Sequence, residues 1–120
     1  MGIDILGTSG GVITVRMTGE LKKAEFDLIQ SMAPEAIKRW GKIRVLLIVE
    51  DFQGWERGAN WGDTSFIQTH GHEIEKIAAV GDEAWRDSFY AFMGKGFRST
   101  AIEYFTPTER DKAEAWLGVA

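Results

Sequence analysis

The chain has 120 residues, of which 44% are hydrophobic and 27% charged, and it contains no cysteine. These proportions are typical of a globular protein and predict one domain, residues 1–120, with a core that needs neither a metal nor a disulfide. The absence of cysteine excludes a disulfide framework and a thiolate metal site, and it fits a reducing cytoplasm. The formal net charge of −4 argues against a nucleic-acid partner, because such affinity depends on cationic side chains that neutralise phosphates.

The first 40 residues predict a β-hairpin followed by a helix. Residues 3–6 are a strand candidate, residues 7–11 form a glycine-rich turn, and residues 11–18 alternate as a second strand does. From about Lys22, apolar residues recur at three- and four-residue steps, which predicts an amphipathic helix that ends at Gly41. Its stripe comprises Phe26, Ile29, Ala33, Ile37 and Trp40. Pro34 lies inside this stripe and predicts a kink or two abutting helices.

Residues 43–50 form the run around which the rest is organised. The run is dominated by branched apolar side chains and does not alternate with polar ones, so it predicts a strand buried on both faces. Its longest uninterrupted aliphatic stretch, residues 45–49, is far too short to cross a bilayer, so no integral membrane segment is expected. A glycine- and tryptophan-rich segment, residues 51–62, follows and predicts an irregular loop at the carboxyl end of this strand.

The remaining residues predict alternating helices and strands. Asp63 is a candidate N-cap for a short helix over residues 63–70, and residues 74–80 form a second buried strand. Asp82 is a candidate N-cap for a helix that ends at Gly94, with an inward stripe of Trp85, Phe89, Phe92 and Met93. Residues 100–105 are a further strand. Thr106, Pro107 and Glu109 then predict a capping box at the start of the last helix.

The element order predicts an α/β fold: a mixed five-stranded sheet with an N-terminal hairpin, later strands parallel, covered by about four helices. Together with particular residues, this order resembles the SpoIIAA-like (STAS/SEC14-domain) family of small bacterial proteins. The residues that carry the resemblance are Gly19-Glu20-Leu21, Leu47-Ile48-Val49-Glu50-Asp51-Phe52 with Gly54-Trp55, Ile77-Ala78-Ala79-Val80-Gly81-Asp82 with Trp85, and Glu109 with Ala113, Trp116 and Leu117.

The resemblance implies a non-enzymatic domain that binds another protein or a small ligand. It also implies, for some members, a switch by phosphorylation of a Ser at the helix after the central strand. The nearest match here is Asp63-Thr64-Ser65-Phe66, in which Phe66 stands where that pattern has Gly. Thr64 and Ser65 are therefore candidate phosphoacceptors, with ordinary first-turn polar residues as the alternative. The SEC14 part of the resemblance implies lipid-like ligands.

The predicted loop is the best candidate for a binding site, since open α/β sheets place ligands at the carboxyl ends of their strands. Phe52, Trp55 and Trp61 would line an apolar cleft beside Asp63, and Arg57 would bind an anionic group. The alternative is that both tryptophans fold back over the sheet as part of the core. His70 and His72 lack a third nitrogen or sulfur ligand, so no metal and no cofactor is expected.

Two functions remain open from the sequence, and catalysis ranks below both. The first is a cytoplasmic, non-catalytic domain that engages a partner protein, with a homodimer as one form. The second is a carrier of a small apolar ligand, held between the predicted helix at residues 63–70 and the helix at residues 85–93. An exposed aromatic patch favours the first function, and a co-purifying lipid-sized mass favours the second.

Overall fold

The architecture is given by a computed structural model that describes residues 3–59, 61, 73–96 and 98–118. These residues form five strands and three α-helices. In chain order they are β1 (Ile3–Ser9), β2 (Val12–Thr18), α1 (Lys23–Trp40), β3 (Ile43–Glu50), β4 (Ile74–Val80), α2 (Arg86–Met93), β5 (Ala101–Phe105) and α3 (Arg110–Leu117). The additional helix predicted over residues 63–70 lies outside the described residues.

The strands form one sheet in the order β1-β2-β3-β4-β5. β1 and β2 pair antiparallel, and each later neighbour pairs parallel, which confirms the predicted mixed sheet with an N-terminal hairpin. β3 lies at the centre, and Ile43 and all four residues from Leu46 to Val49 are buried. The predicted burial of this strand on both faces is therefore confirmed, with Val45 half-buried.

The hairpin turn is shorter than the sequence predicts. β1 continues to Ser9, so the turn consists of Gly10 and Gly11, which have φ of 57° and 83°, instead of five residues from Gly7 onward. Positive φ at both turn residues suits the twist of a tight hairpin, and glycine adopts it without strain. The pairing register of β1 shifts between Ile5 and Gly7, and Gly7 then pairs with Thr14. A β-bulge at this shift lets β1 continue through the glycine.

Helix α1 is one continuous helix through Pro34, so the prediction of two abutting helices is wrong. The inward stripe is also shorter than predicted: Ala33 and Ile37 are buried, whereas Trp40 is 43% exposed. The Arg39 guanidinium lies over the Trp40 ring, 5.3 Å from its centroid, so a cation–π contact covers part of this exposed ring. Gly41 ends the helix at a φ of 79°, as predicted.

The helices cover the sheet on two faces. Helices α1 and α2 pack on the face that presents Val15, Met17 and Leu47. Helix α3 packs on the opposite face, where Ala113 and Leu117 are fully buried. None of the helices in the described ranges combines the length and the hydrophobicity needed to span a bilayer.

The predicted starts at Asp82 and Thr106 are confirmed, the first with one adjustment. Asp82 accepts a hydrogen bond from the backbone N–H of Ala84 at 2.9 Å, but the element it caps is a one-turn 3-10 helix, Glu83–Trp85, that leads into α2. Before α3, Thr106 and Glu109 form the predicted capping box. Glu109 accepts the backbone N–H of Thr106 at 3.0 Å, and this bond lowers the pKa of the Glu109 carboxyl.

Candidate functional site

An apolar cavity of about 210 Å³ lies between the helices α1 and α2 and the sheet, and it is partly open to solvent. From the sheet, the lining includes Val15, Met17, Val45, Leu47 and Ile77. From the helices, the lining includes Phe26, Ala33, Ala36, Phe92 and Met93. A cavity of this kind, concave and almost wholly apolar, is the usual form of a small-molecule site.

Small side chains on the inward face of α1 contribute to the cavity. Ala33 and Ala36 are three residues apart, so they share one face of the helix, and their methyl groups do not reach as far as a leucine would. Ala33 and the larger Ile37 both belong to a buried cluster with Ile43 and Ile74. At about 24 cal/mol per Å³, leaving such a volume empty would cost at most roughly 5 kcal/mol, a large fraction of typical domain stability.

Three polar residues, Thr8, Gln30 and Arg98, interrupt the apolar lining, and among the described residues Arg98 is its only charged member. The Nη1 atom of Arg98 donates a hydrogen bond to the carbonyl of Met93 at 3.3 Å, at the end of α2. Burial lowers the pKa of the Arg98 guanidinium from its ordinary value. An arginine nevertheless remains protonated in proteins, so the Arg98 guanidinium keeps its charge.

The segment that follows β3 is tied to the end of β2 by backbone hydrogen bonds. Gln53 donates its N–H to the carbonyl of Gly19 at 3.0 Å, and Leu21 donates to Gly54 at 2.9 Å. Glu56 then donates to Leu21 at 2.9 Å. The first part of the predicted loop therefore continues the parallel pairing of β2 and β3 in irregular form, which holds its side chains in place.

The aromatic side chains of this segment pack together with rings of α2. Phe52 is 8% exposed, and its ring centroid lies 5.0 Å from those of both Trp55 and Phe89. The rings of Trp55 and Trp61 lie 5.2 and 5.5 Å from that of Phe92. Tilted and edge-to-face pairs at such distances are favourable. These contacts correspond to the alternative in which the tryptophans join the core, and through Phe92 the cluster borders the cavity.

Of the other predicted site residues, only Arg57 is described. Arg57 is exposed in the turn that follows Glu56. Asp63, Thr64 and Ser65 lie outside the described residues, as do both histidines. The structure thus brings together Phe52, Trp55 and Trp61 and leaves Arg57 at the surface.

A second, more polar groove of about 520 Å³ lies at the carboxyl ends of β3 and β4, where the sequence pattern predicts a ligand. Its lining includes Glu50, Asp51, Phe52, Asp82, Trp85 and Arg110. Within the described part of the chain, no group of three or more His, Cys, Asp or Glu side chains is arranged to hold a metal ion. The side chains of this groove have mixed charge, and they do not point to one class of ligand.

None of the described residues predicted as a site, Phe52, Trp55, Arg57 and Trp61, lines the apolar cavity, although Phe92 and Met93 of the helix predicted to contact a carried ligand do. A usable signal was present in α1, where Gln30, Ala33 and Ala36 fall on the inward side of the helix. A helix that packs tightly on a sheet usually presents larger apolar residues there. Small and polar residues in the inward stripe are therefore the local sign of a space beneath the helix.

Comparison with known proteins identifies the fold family. A sequence model of the family described as SpoIIAA-like matches residues 12–118 of this chain. No match was found among curated proteins. The family match includes β2 and every later described element, so it covers most of the cavity lining and the aromatic cluster.

Two solved structures resemble the fold over nearly its whole length. An uncharacterized protein of the DUF3478 family with a SpoIIAA-like fold, from Shewanella loihica PV-4, has a TM-score of 0.71 and 21% identity, covering 97% of this chain and 93% of that one. The anti-sigma factor antagonist SpoIIAA in its unphosphorylated form has a TM-score of 0.64 and 12% identity, covering 98% of each chain. At these identities the similarity establishes a shared fold.

Proposed function

The chain belongs to the SpoIIAA-like family, and on this basis we propose that it is a non-enzymatic binding domain that holds a small apolar ligand beneath α1. The observation that carries the proposal is the apolar cavity of about 210 Å³ between α1 and the sheet. An engineered apolar cavity of about 150 Å³ in a protein core binds benzene, so this volume admits a small apolar molecule or part of a longer chain. Such a ligand also fits the lipid-like class implied by the SEC14 resemblance.

Binding is better supported than catalysis by the chemistry of the lining. Among the described lining residues, Thr8 has the only hydroxyl group, and none is a carboxylate or an imidazole. A nucleophile of this kind needs an adjacent base to be activated. We therefore propose a carrier or ligand-sensing role, and we propose the cytoplasm as its location because the cysteine-free sequence suits a reducing compartment.

The proposed ligand site is tested with a substitution that fills the cavity. The Ala33→Leu substitution adds apolar volume at a buried position of the lining, so we expect it to abolish ligand uptake while stabilising the empty protein by up to about 2 kcal/mol. Native mass spectrometry of freshly purified protein and calorimetric titration with dodecan-1-ol measure uptake. Thermal unfolding measures the change in stability.

Ala24→Leu is the matched control, because Ala24 is exposed near the start of the same helix. It should leave both uptake and the midpoint of unfolding nearly unchanged. Ala36→Leu is a second filling variant in case Leu at position 33 overpacks the cluster around Ile37. Wild-type protein that carries no added mass and takes up no dodecan-1-ol would contradict the proposal.

A second candidate function, engagement of a partner protein, is favoured by two exposed apolar residues of α1, of which Met32 also lines the cavity. Leu28 and Met32 are 61% and 49% exposed and lie four residues apart, so they are neighbours on the helix surface. Exposed apolar pairs of this kind mark surfaces that other proteins cover. The simplest partner is a second copy of the chain, and we propose a homodimer through this face as the form to test.

A further inference from the structure

Building on the proposed function, we infer that the cavity beneath α1 accepts apolar ligands of different shapes, linear and cyclic, because methionine side chains adapt its surface to each ligand. The first observation is where the methionines lie. Three of the four in the chain, Met17, Met32 and Met93, line the cavity. They belong to β2, α1 and α2, so the sheet and both helices around the space contribute one each.

The second observation is the stiffness of the rest of the lining on the sheet. Apart from Met17 and Leu47, every described lining residue of the sheet is β-branched. Two heavy atoms on Cβ restrict the first side-chain torsion, so these residues keep one shape whichever ligand enters. Methionine has an unbranched side chain with three rotatable bonds and a polarisable thioether, and it is common at surfaces that bind many partners. The methionines are therefore the apolar lining residues best able to follow the outline of a ligand.

The third observation is that the three methionines differ in exposure. Met17 is 4% exposed, Met93 is half-buried and Met32 is 49% exposed. Adjustable side chains therefore extend from the interior of the cavity to its solvent-facing side. Ala36 lies one helical turn from Met32, and its single methyl group leaves more space beside the thioether than a larger residue would.

A purely structural role for these methionines would be to fill gaps in the core. The two roles differ in what a substitution by leucine changes. Leucine has a similar volume, so the exchange preserves the size of the cavity, but its branched side chain has less rotamer freedom than methionine. Loss of a core contact changes the affinity for every ligand by the same factor. Loss of an adaptable side chain weakens the binding of one ligand shape more than that of another.

The experiment compares two neutral alcohols with the same number of carbon atoms, dodecan-1-ol and cyclododecanol. Their dissociation constants are measured by titration calorimetry for the full chain, below the solubility limit of each alcohol. Each constant is divided by the partition of that alcohol from water into octanol, so that only the fit to the cavity is compared. For wild-type protein we expect the two corrected affinities to agree within about threefold, whereas a poor steric fit costs about tenfold or more.

Replacing Met17, Met32 and Met93 together with Leu should widen this difference to about tenfold or more. Met32→Leu alone, at an exposed position, should show part of the widening. Leu117→Met is the matched control, because it exchanges the same two residue types in the reverse direction at a fully buried site on the opposite face of the sheet. It should leave the affinities for both alcohols at their wild-type values.

A tenfold preference of wild-type protein for one shape would overturn the inference and leave the apolar site in place. The same conclusion would follow if the triple Leu variant bound both alcohols as wild-type protein does, or weakened both by the same factor. If neither alcohol binds to wild-type protein, the proposed function itself fails. Because Met32→Leu changes an exposed residue, the test stands even if the triple variant does not fold.

Discussion

At the scale of single residues, Tyr104 shows how the fold sets the chemistry of one group. Its side chain is 9% exposed, and its hydroxyl donates a hydrogen bond to the carbonyl of Asp82 at 2.8 Å. Burial, with a smaller contribution from the Asp82 charge, raises the pKa of Tyr104 to about 12. The folded protein therefore favours the neutral phenol over the phenolate.

This shift predicts a loss of stability at alkaline pH. The folded pKa is about 12 and the ordinary value is 10.0, so the stabilisation is fully present below about pH 10 and is lost as pH rises from there to about pH 12. Tyr104→Phe should cost about 1 kcal/mol at neutral pH, because the hydroxyl bond is lost, but should show a smaller alkaline decline. Urea unfolding at a series of pH values measures both effects, and an unchanged alkaline decline in the variant would contradict the assignment.

At the scale of elements, helix α1 is capped by a residue distant in sequence. Lys22, at its N-cap, makes no side-chain capping bond, and a carboxylate oxygen of Glu56 accepts the backbone N–H of Lys23 at 3.0 Å instead. The same segment is held against Leu21 by backbone pairing. The segment after β3 therefore fixes where α1 begins, and so helps to position the helix above the cavity.

Glu56→Ala should destabilise the protein by about 1 kcal/mol, the usual cost of losing an N-terminal cap. The change in the free energy of unfolding is measured by urea denaturation. Glu35→Ala is a suitable control, because Glu35 is exposed within the same helix. Equal effects of the two substitutions would show that the Glu56 bond does not stabilise α1.

The helices differ in how far sequence alone predicts them. The start of α3 is encoded locally in Thr106, Pro107 and Glu109, so its capping box is predictable from three positions. The cap of α1 depends on Glu56, 33 residues away from Lys23, and no local pattern reveals it. Pro34 shows the opposite limit, since the local rule allows two abutting helices where the structure has one continuous helix.

At the scale of the whole molecule, the fold was predictable because β3 is a continuous apolar run and only a central strand suits it. The cavity was not predictable in the same way. Its volume depends on the sizes of side chains from β1 to β4, α1 and α2 together, so the small inward residues of α1 indicate a space without giving its extent. The aromatic residues Trp55 and Trp61 were recognised as unusual, but their contacts with Phe92 follow from the tertiary structure.

The proposed homodimer also belongs to this scale. If Leu28 and Met32 are covered by a second copy, sedimentation velocity of wild-type protein should show a monomer–dimer equilibrium that shifts with concentration. Leu28→Glu should weaken the dimer, because the charge would be desolvated at the interface, and Leu28 is not among the described cavity-lining residues. Ser31→Glu tests whether any added charge on this exposed stretch of α1 has the same effect. A wild-type chain that stays monomeric at all concentrations would contradict the dimer.

The position of Phe92 gives the protein an intrinsic optical reporter. Its ring lines the cavity and also touches the indole rings of Trp55 and Trp61, two of the five tryptophans. A molecule that enters and displaces this ring alters the surroundings of both fluorophores. If the cavity takes up a ligand, we therefore expect native tryptophan emission to report its occupancy without a dye or a label.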